Sequence, residues 1–276
     1  MNNIFRELLP FTAVPKTDIE HWVVSGQLDY VRGVQKFGYN LALSNVAEDI
    51  HSIGGTLSHL TAAATLELIS SDANDTISGT GARKVKIFGI IDVAGVWTYA
   101  EEEFDMNGTS ATSASSNSWL RVYRMRVTER GTYGGTGANA GTITCRVEGA
   151  GATLCEIPVD ADFGGCGTSY TTHYSTAYNE HLFIYWVIVN KESGKTVDLS
   201  VRIRTNANDV TTPFTGGYFN QITHRDIPTF MQWDTQKIPF YVPPNSDFWF
   251  RGVAGQSALV SINYAGLVFT HPEVNN

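Results

Sequence analysis

The chain has 276 residues, 42 % of them hydrophobic, 12 % aromatic and 17 % charged. That is enough to bury a core without a metal or disulfide, and too apolar for a disordered chain. A formal charge of −8, from 19 basic and 27 acidic residues, leaves no cation cluster for counterion release, so nucleic acid is excluded as an expected partner.

Neither a signal-peptide run in MNNIFRELLPFTAVPKTD nor an uncharged apolar stretch of roughly 18 residues occurs, so a soluble product with no membrane partner is expected. Residues 8–17 hold two prolines, and no clear periodicity follows up to about Asn45. Residues 1–60 therefore read as an extended N-terminal arm and docking segment, with a short strand at 21–24. Strands are predicted next at 64–69 and 84–88, the latter with Val85 and Ile87 on one face and Lys84 and Lys86 on the other. The loop between them, SSDANDTISGTGA (70–82), reads as a connector joining two adjacent strands of one sheet, with Asp72 and Asp75 closing Asx-turns.

Strands at 97–106 and 119–128 come next, then a hairpin of 142–148 with 153–157 across the GAG at 149–151. HLFIYWVIVN (181–190) is apolar throughout, whereas 197–204 alternates strictly; with KESGK between them, the two predict a hairpin whose first strand is covered on both faces. Strands at 237–241, 247–252 and 258–269 complete an all-β pattern. The expected fold is a jelly-roll-like antiparallel β-sandwich over residues 61–276 carrying the N-terminal arm.

No catalytic, cofactor-binding or metal-binding residue is assigned. The histidines, among them His51, His59, His173 and His181, follow no metal-ligand spacing, and Cys145, Cys155 and Cys166 include no C-x-x-C. Cys145 reads as a core residue, with a bridge to Cys155 open in an oxidising setting. The glycine-rich 131–141 opens no helix and reads as a flexible hairpin loop rather than a phosphate cradle. Glu101, Glu102, Glu103 and Asp105, or Asp160 and Asp162, offer carboxylates without assignable pairs. Asp72, Asn74 and Asp75, like Asp160 with Asp162, supply too few oxygens alone for calcium. Tyr170, Tyr174 and Tyr178 read as exposed aromatics on an interface or, with Trp97, on a glycan-stacking face.

The segment EDIHSIGGTLSHLTAAATLELISSDANDTISGTGARKVKIFGI (48–90) resembles a module of virion structural proteins of tailed, especially marine, bacteriophages. MNGTSATSASSNSWLRVYRMRV (106–127), GANAGTIT (137–144) and VPPNSDFWFRG (242–252) continue the likeness in order. His51 stands where the family pattern has Trp, and DVAGVWTYAEE (92–102) is longer than the pattern. The resemblance implies a non-enzymatic virion component without cofactors. A capsid decoration (cement) or minor capsid protein is expected, assembled in the host cytoplasm as a homotrimer. Arm and sheet faces would bind sister subunits and the major capsid protein or other virion proteins. The alternative is a tail or fibre appendage that binds host surface glycan.

Overall fold

The computed structural model describes residues 28, 30–133, 137–160, 164–213, 215, 217–234 and 239–271. Among them there is no helix; eighteen strands follow in chain order. They are β1 (Val31–Leu43), β2 (Glu48–Asp49), β3 (Leu66–Ser70), β4 (Ala82–Val93), β5 (Val96–Asp105), β6 (Trp119–Arg130), β7 (Ile143–Val147), β8 (Thr153–Ile157) and β9 (Val159–Asp160). Then come β10 (Gly164–Gly165), β11 (Tyr174–Ser175), β12 (Glu180–Lys191), β13 (Val197–Arg204), β14 (Tyr218–His224), β15 (Phe230–Asp234), β16 (Phe240–Val242), β17 (Asp247–Ala254) and β18 (Ala258–Thr270).

One sheet runs β1-β18-β12-β15, with β16 also on β12; a second runs β11-β17-β13-β14, with β2 also on β17. The register shows how β2 and β11 relate. Glu48 and Asp49 pair with Gly252 and Arg251, and Tyr174 and Ser175 with Phe248 and Asp247. The two short strands therefore lie end to end along β17, as one strand position interrupted by the residues between them. Counted that way, eight positions form sheets in the order 1-8-3-6 and 2-7-4-5, which is jelly-roll order. The sandwich interior is filled: Phe248, Phe250 and Tyr264 are fully buried, with ring centroids 5.4–6.0 Å apart.

The interruption holds a second, smaller sandwich. Sheets β3-β7-β8 and β5-β4-β6 enclose their own core of Leu66, Leu68, Val85, Ile87, Met125, Ile143 and Cys145. Val85, Ile87 and Ile91 of β4 face that core, while Phe88 and Ile90 pack with Trp97, Leu120 and Tyr123 against the jelly roll. Gly89 is required where β4 crosses β6, because a Cβ there would lie 1.9 Å from the Arg121 carbonyl oxygen.

Four expectations are corrected. Of the arm expected over 1–60, the described stretch from Val31 to Leu43 is a 13-residue strand paired along β18; its inward positions include Lys36, Gly38 and Asn40, so no apolar alternation announced it. Residues 21–24 lie outside the described residues. The 181–190 and 197–204 strands are not a hairpin: β12 pairs with β18, β15 and β16, and β13 with β14 and β17. KESGK arches from one sheet to the other, and the inward side chains of both strands meet across the core. The 70–82 loop likewise crosses between the two sheets of the insert, and 131–141 joins β6 to β7 across the same gap. The 143–157 hairpin is present as expected.

Candidate functional site: the neck of the insert and an uncharged sheet face

The chain leaves the jelly roll after Asp49 and returns before Tyr174, so both crossings share one neck. His51 bridges Thr171, Ile50 N–H donates to the Phe250 carbonyl (2.9 Å) and Thr172 N–H to the Ile50 carbonyl (3.1 Å). Interrupting a strand leaves backbone groups of its neighbour without ladder partners, and buried backbone groups must be paired. The Ser/Thr run of TSYTTHYST answers this. Thr172 Oγ1 accepts from Phe250 N–H at 3.2 Å and donates to the Ile50 carbonyl at 3.0 Å, and Thr176 Oγ1 accepts from Ser246 N–H at 3.0 Å.

Asp247, at the start of β17, is the charged centre of the neck. Arg121, on β6 of the insert, reaches it through Nε (3.0 Å to Oδ1) and Nη2 (3.0 Å to Oδ2), and both side chains are at most 1 % exposed. The same guanidinium donates to the Leu60 carbonyl at 2.9 Å and lies 5.0 Å from the Trp97 ring. Ser175 Oγ donates to Asp247 Oδ1 at 2.6 Å. His173 Nε2 is 3.5 Å from Oδ1 and His59 Nδ1 3.7 Å from Oδ2, with the two rings stacked at 5.2 Å. Burial alone would raise the Asp247 carboxyl; Arg121, His59 and His173 outweigh it and hold the group well below the usual range. Burial pushes His173 down and takes His59 to about 3 and His51 to about 4. Asp49 completes the neck, accepting from Trp249 Nε1 and Leu57 N–H, each at 2.8 Å, beside Arg251 at 3.6 Å.

This arrangement is not a hydrolytic triad. Ser175 (3.0 Å) and Asp247 meet the same nitrogen of His173, whereas a relay needs them on opposite nitrogens and a nucleophile open to substrate. Nor is it an open cation site. Donor atoms of His59, His173 and Asp247 lie within 4.8 Å of one another, yet Arg121 and Ser175 already engage the carboxylate, so a metal ion would have to displace a guanidinium. The cluster is an ionic joint that ties the insert to the jelly roll.

A different surface is open. The outward positions of β12 (181, 183, 186, 188 and 190), the odd positions 259–269 of β18 and 31–37 of β1 include no Asp, Glu, Lys or Arg. Phe183 lies 5.1 Å from Tyr241 and 5.5 Å from Phe269, and Tyr241 OH lies 2.8 Å from His181 Nδ1. Tyr241 and Phe230 are 42 % and 56 % exposed. By contrast, the open face of the insert pairs Lys84 with Glu103 and Asp105 at 3.5 Å, and Lys86 with Glu101 at 3.2 Å.

The residues singled out from sequence fall elsewhere. Tyr174 and Trp97 are buried, Tyr178 is half-buried, and Tyr170 packs on Phe37 and Tyr39 at 4.7 and 5.0 Å, so the expected exposed aromatic face does not form there. Asp72 Oδ1 accepts from Asn74 N–H at 2.8 Å, an Asx-turn as expected. Asp75 is instead a long-range clamp: fully buried, it accepts from Ala82, Ala140 and Gly141 N–H and from Ser70 Oγ at 2.6–2.8 Å, leaving no open oxygens for calcium. Glu102 accepts from Ser116 N–H (2.6 Å) and Asn117 Nδ2 (2.9 Å), and Asp162 lies outside the described residues. Cys145 and Cys155 are opposite one another across β7 and β8 as buried free thiols. What sequence reasoning missed is His59, His173, Arg121 and Asp247 as one unit. They are scattered over 189 positions, and only the polar run around His173 hinted at a buried polar seam.

No protein-family model matches the chain, and no curated protein sequence does. Solved structures give faint likenesses. An infectious bursal disease virus structure (Gx strain) has 7 % identity and TM-score 0.26, over 88 % of this chain and 72 % of that one. The VP2 subviral particle of the same virus has 10 % identity and TM-score 0.21, over 87 % and 72 %. Arthrobacter globiformis T6 isomalto-dextranase has 10 % identity and TM-score 0.20, over 86 % and 34 %.

Proposed function

We propose that the chain is a non-enzymatic structural component of a phage virion, a capsid decoration or minor capsid protein. It joins sister subunits, as a homotrimer, and the particle lattice. One observation carries this reading: the outer face of the β1-β18-β12 sheet mixes aromatic and aliphatic side chains with neutral polar ones such as Gln35, Ser261 and Asn263 and carries no Asp, Glu, Lys or Arg, in a chain of net charge −8. An uncharged face rich in aromatic and aliphatic side chains suits a permanent protein contact, since a neighbouring subunit can cover it without burying an unpaired charge. The filled jelly-roll interior supports a structural rather than a ligand-enclosing role, and the sequence resemblance points to the same class. A glycan-binding appendage draws less support, because Trp97 and Tyr174 are enclosed.

Light scattering across a concentration series tests this directly. The purified chain is expected to self-associate, and Phe183→Lys with Leu267→Lys to give a folded monomer that no longer co-sediments with particles. A wild-type chain that stays monomeric at the highest soluble concentration, and fails to co-sediment, overturns the reading.

A further inference from the structure

Two buried histidines, His51 and His173, and the largely enclosed His59 converge on the neck. His51 sits opposite Thr171 at the crossing itself, His173 lies two residues before Ser175, and His59 stacks on His173 at 5.2 Å. Facing His59 are Asp247 from β17, Arg121 from β6, Arg204 from β13 and the His173 ring. Facing His173 are Asp247, Arg121, Lys36 from β1 and Asp49 from β2; facing His51 are His173 and Glu48. The two central anions are committed: Asp247 to Arg121 and Ser175, Asp49 to Trp249, Leu57 and Arg251. Glu48 is held by Asn40 and Ser44. Neither ring nitrogen of His51 has a hydrogen-bond partner, nor does Nε2 of His59. A proton taken up here adds charge to a buried seam whose central carboxylates, among the described residues, are already committed.

We propose that the neck is a proton-triggered hinge: acidification charges His51, His59 and His173, releases residues 48–59 from the jelly roll, and so loosens the attachment of the insert. The released bonds are Ile50 N–H to the Phe250 carbonyl, Ser52 N–H to the Tyr170 carbonyl and Leu57 N–H to Asp49. Burial holds His59 at about 3 and His51 at about 4, against 6.5 for the ordinary group. The opened segment therefore binds protons first as pH falls. Closure is complete above about 6.5 and weakens steadily below it, by about 30-fold per ring at pH 5 for His59 or His51.

Hydrogen exchange of the full chain at pH 7.5 and pH 5.0, corrected for intrinsic rates, reads the hinge. Peptides covering 48–59 are expected to lose at least 30-fold of their protection at pH 5.0, while β12 and β18 keep theirs. His59→Gln with His173→Gln is expected to retain protection at pH 7.5 and show a smaller acid response; His51→Gln alone is a second, milder variant. Unchanged protection of 48–59 at pH 5.0 overturns the proposal. So does an equal loss in both variants, or a loss shared with β12 and β18, which would be global unfolding.

Discussion

A single carboxylate organises the loop at 70–82. Asp75 accepts three backbone N–H groups, from Ala82, Ala140 and Gly141, and so ties the start of β4 to the glycine-rich crossing before β7. Gly81 permits this approach, since a Cβ there would meet Asp75 Oδ1 at 2.2 Å. Asp75→Ala strands two buried donors, Ala82 and Gly141 N–H, and the part-buried Ala140 N–H at once, each costing about 1 kcal/mol or more. A loss of about 3–5 kcal/mol in urea unfolding is expected. Asp75→Asn is also destabilising, because its amide turns a donor towards donors. A loss under 1 kcal/mol for Asp75→Ala would show that water replaces the carboxylate without cost.

At the level of elements, β1 shows why part of the fold was legible and part was not. The period-two strands β4 and β13, the β7–β8 hairpin and the all-β class could be read from alternation and turn residues. Alternation fails in β1, where Lys36 and Asn40 occupy inward positions; it also cannot say which sheet a strand joins, so the β12–β13 arch looked like a hairpin. The neck was illegible for a related reason. Its charged residues come from four distant segments, and each alone reads as surface. Lys36 carries its own prediction. Burial lowers its ammonium to about 7, against 10.5 unfolded, so between those values the unfolded chain binds more protons and stability rises with pH. From pH 7.5 to 9.5 the wild type is expected to gain about 2 kcal/mol, while Lys36→Met shows no such gain. Parallel urea titrations at the two pH values check this, and an identical gain in both proteins would rule out Lys36 as its source.

For the whole molecule, the decisive joint is Arg121 with Asp247, since one belongs to the insert and the other to the jelly roll. The apolar contacts of Trp97, Leu120 and Tyr123 would hold the two parts together without choosing one orientation, whereas a forked guanidinium on a buried carboxylate accepts one geometry. Its cost is desolvation, so the pair should matter far more when half is removed than when both halves are. Arg121→Met leaves Asp247 buried beside two neutral imidazoles, and a loss of about 3–5 kcal/mol is expected. Asp247→Asn in the same chain removes the stranded charge, keeps an acceptor for Ser175, and should restore at least half of that loss. If the double variant is as unstable as Arg121→Met alone, the Arg121 side chain stabilises the joint by filling space over Trp97 rather than by its charge.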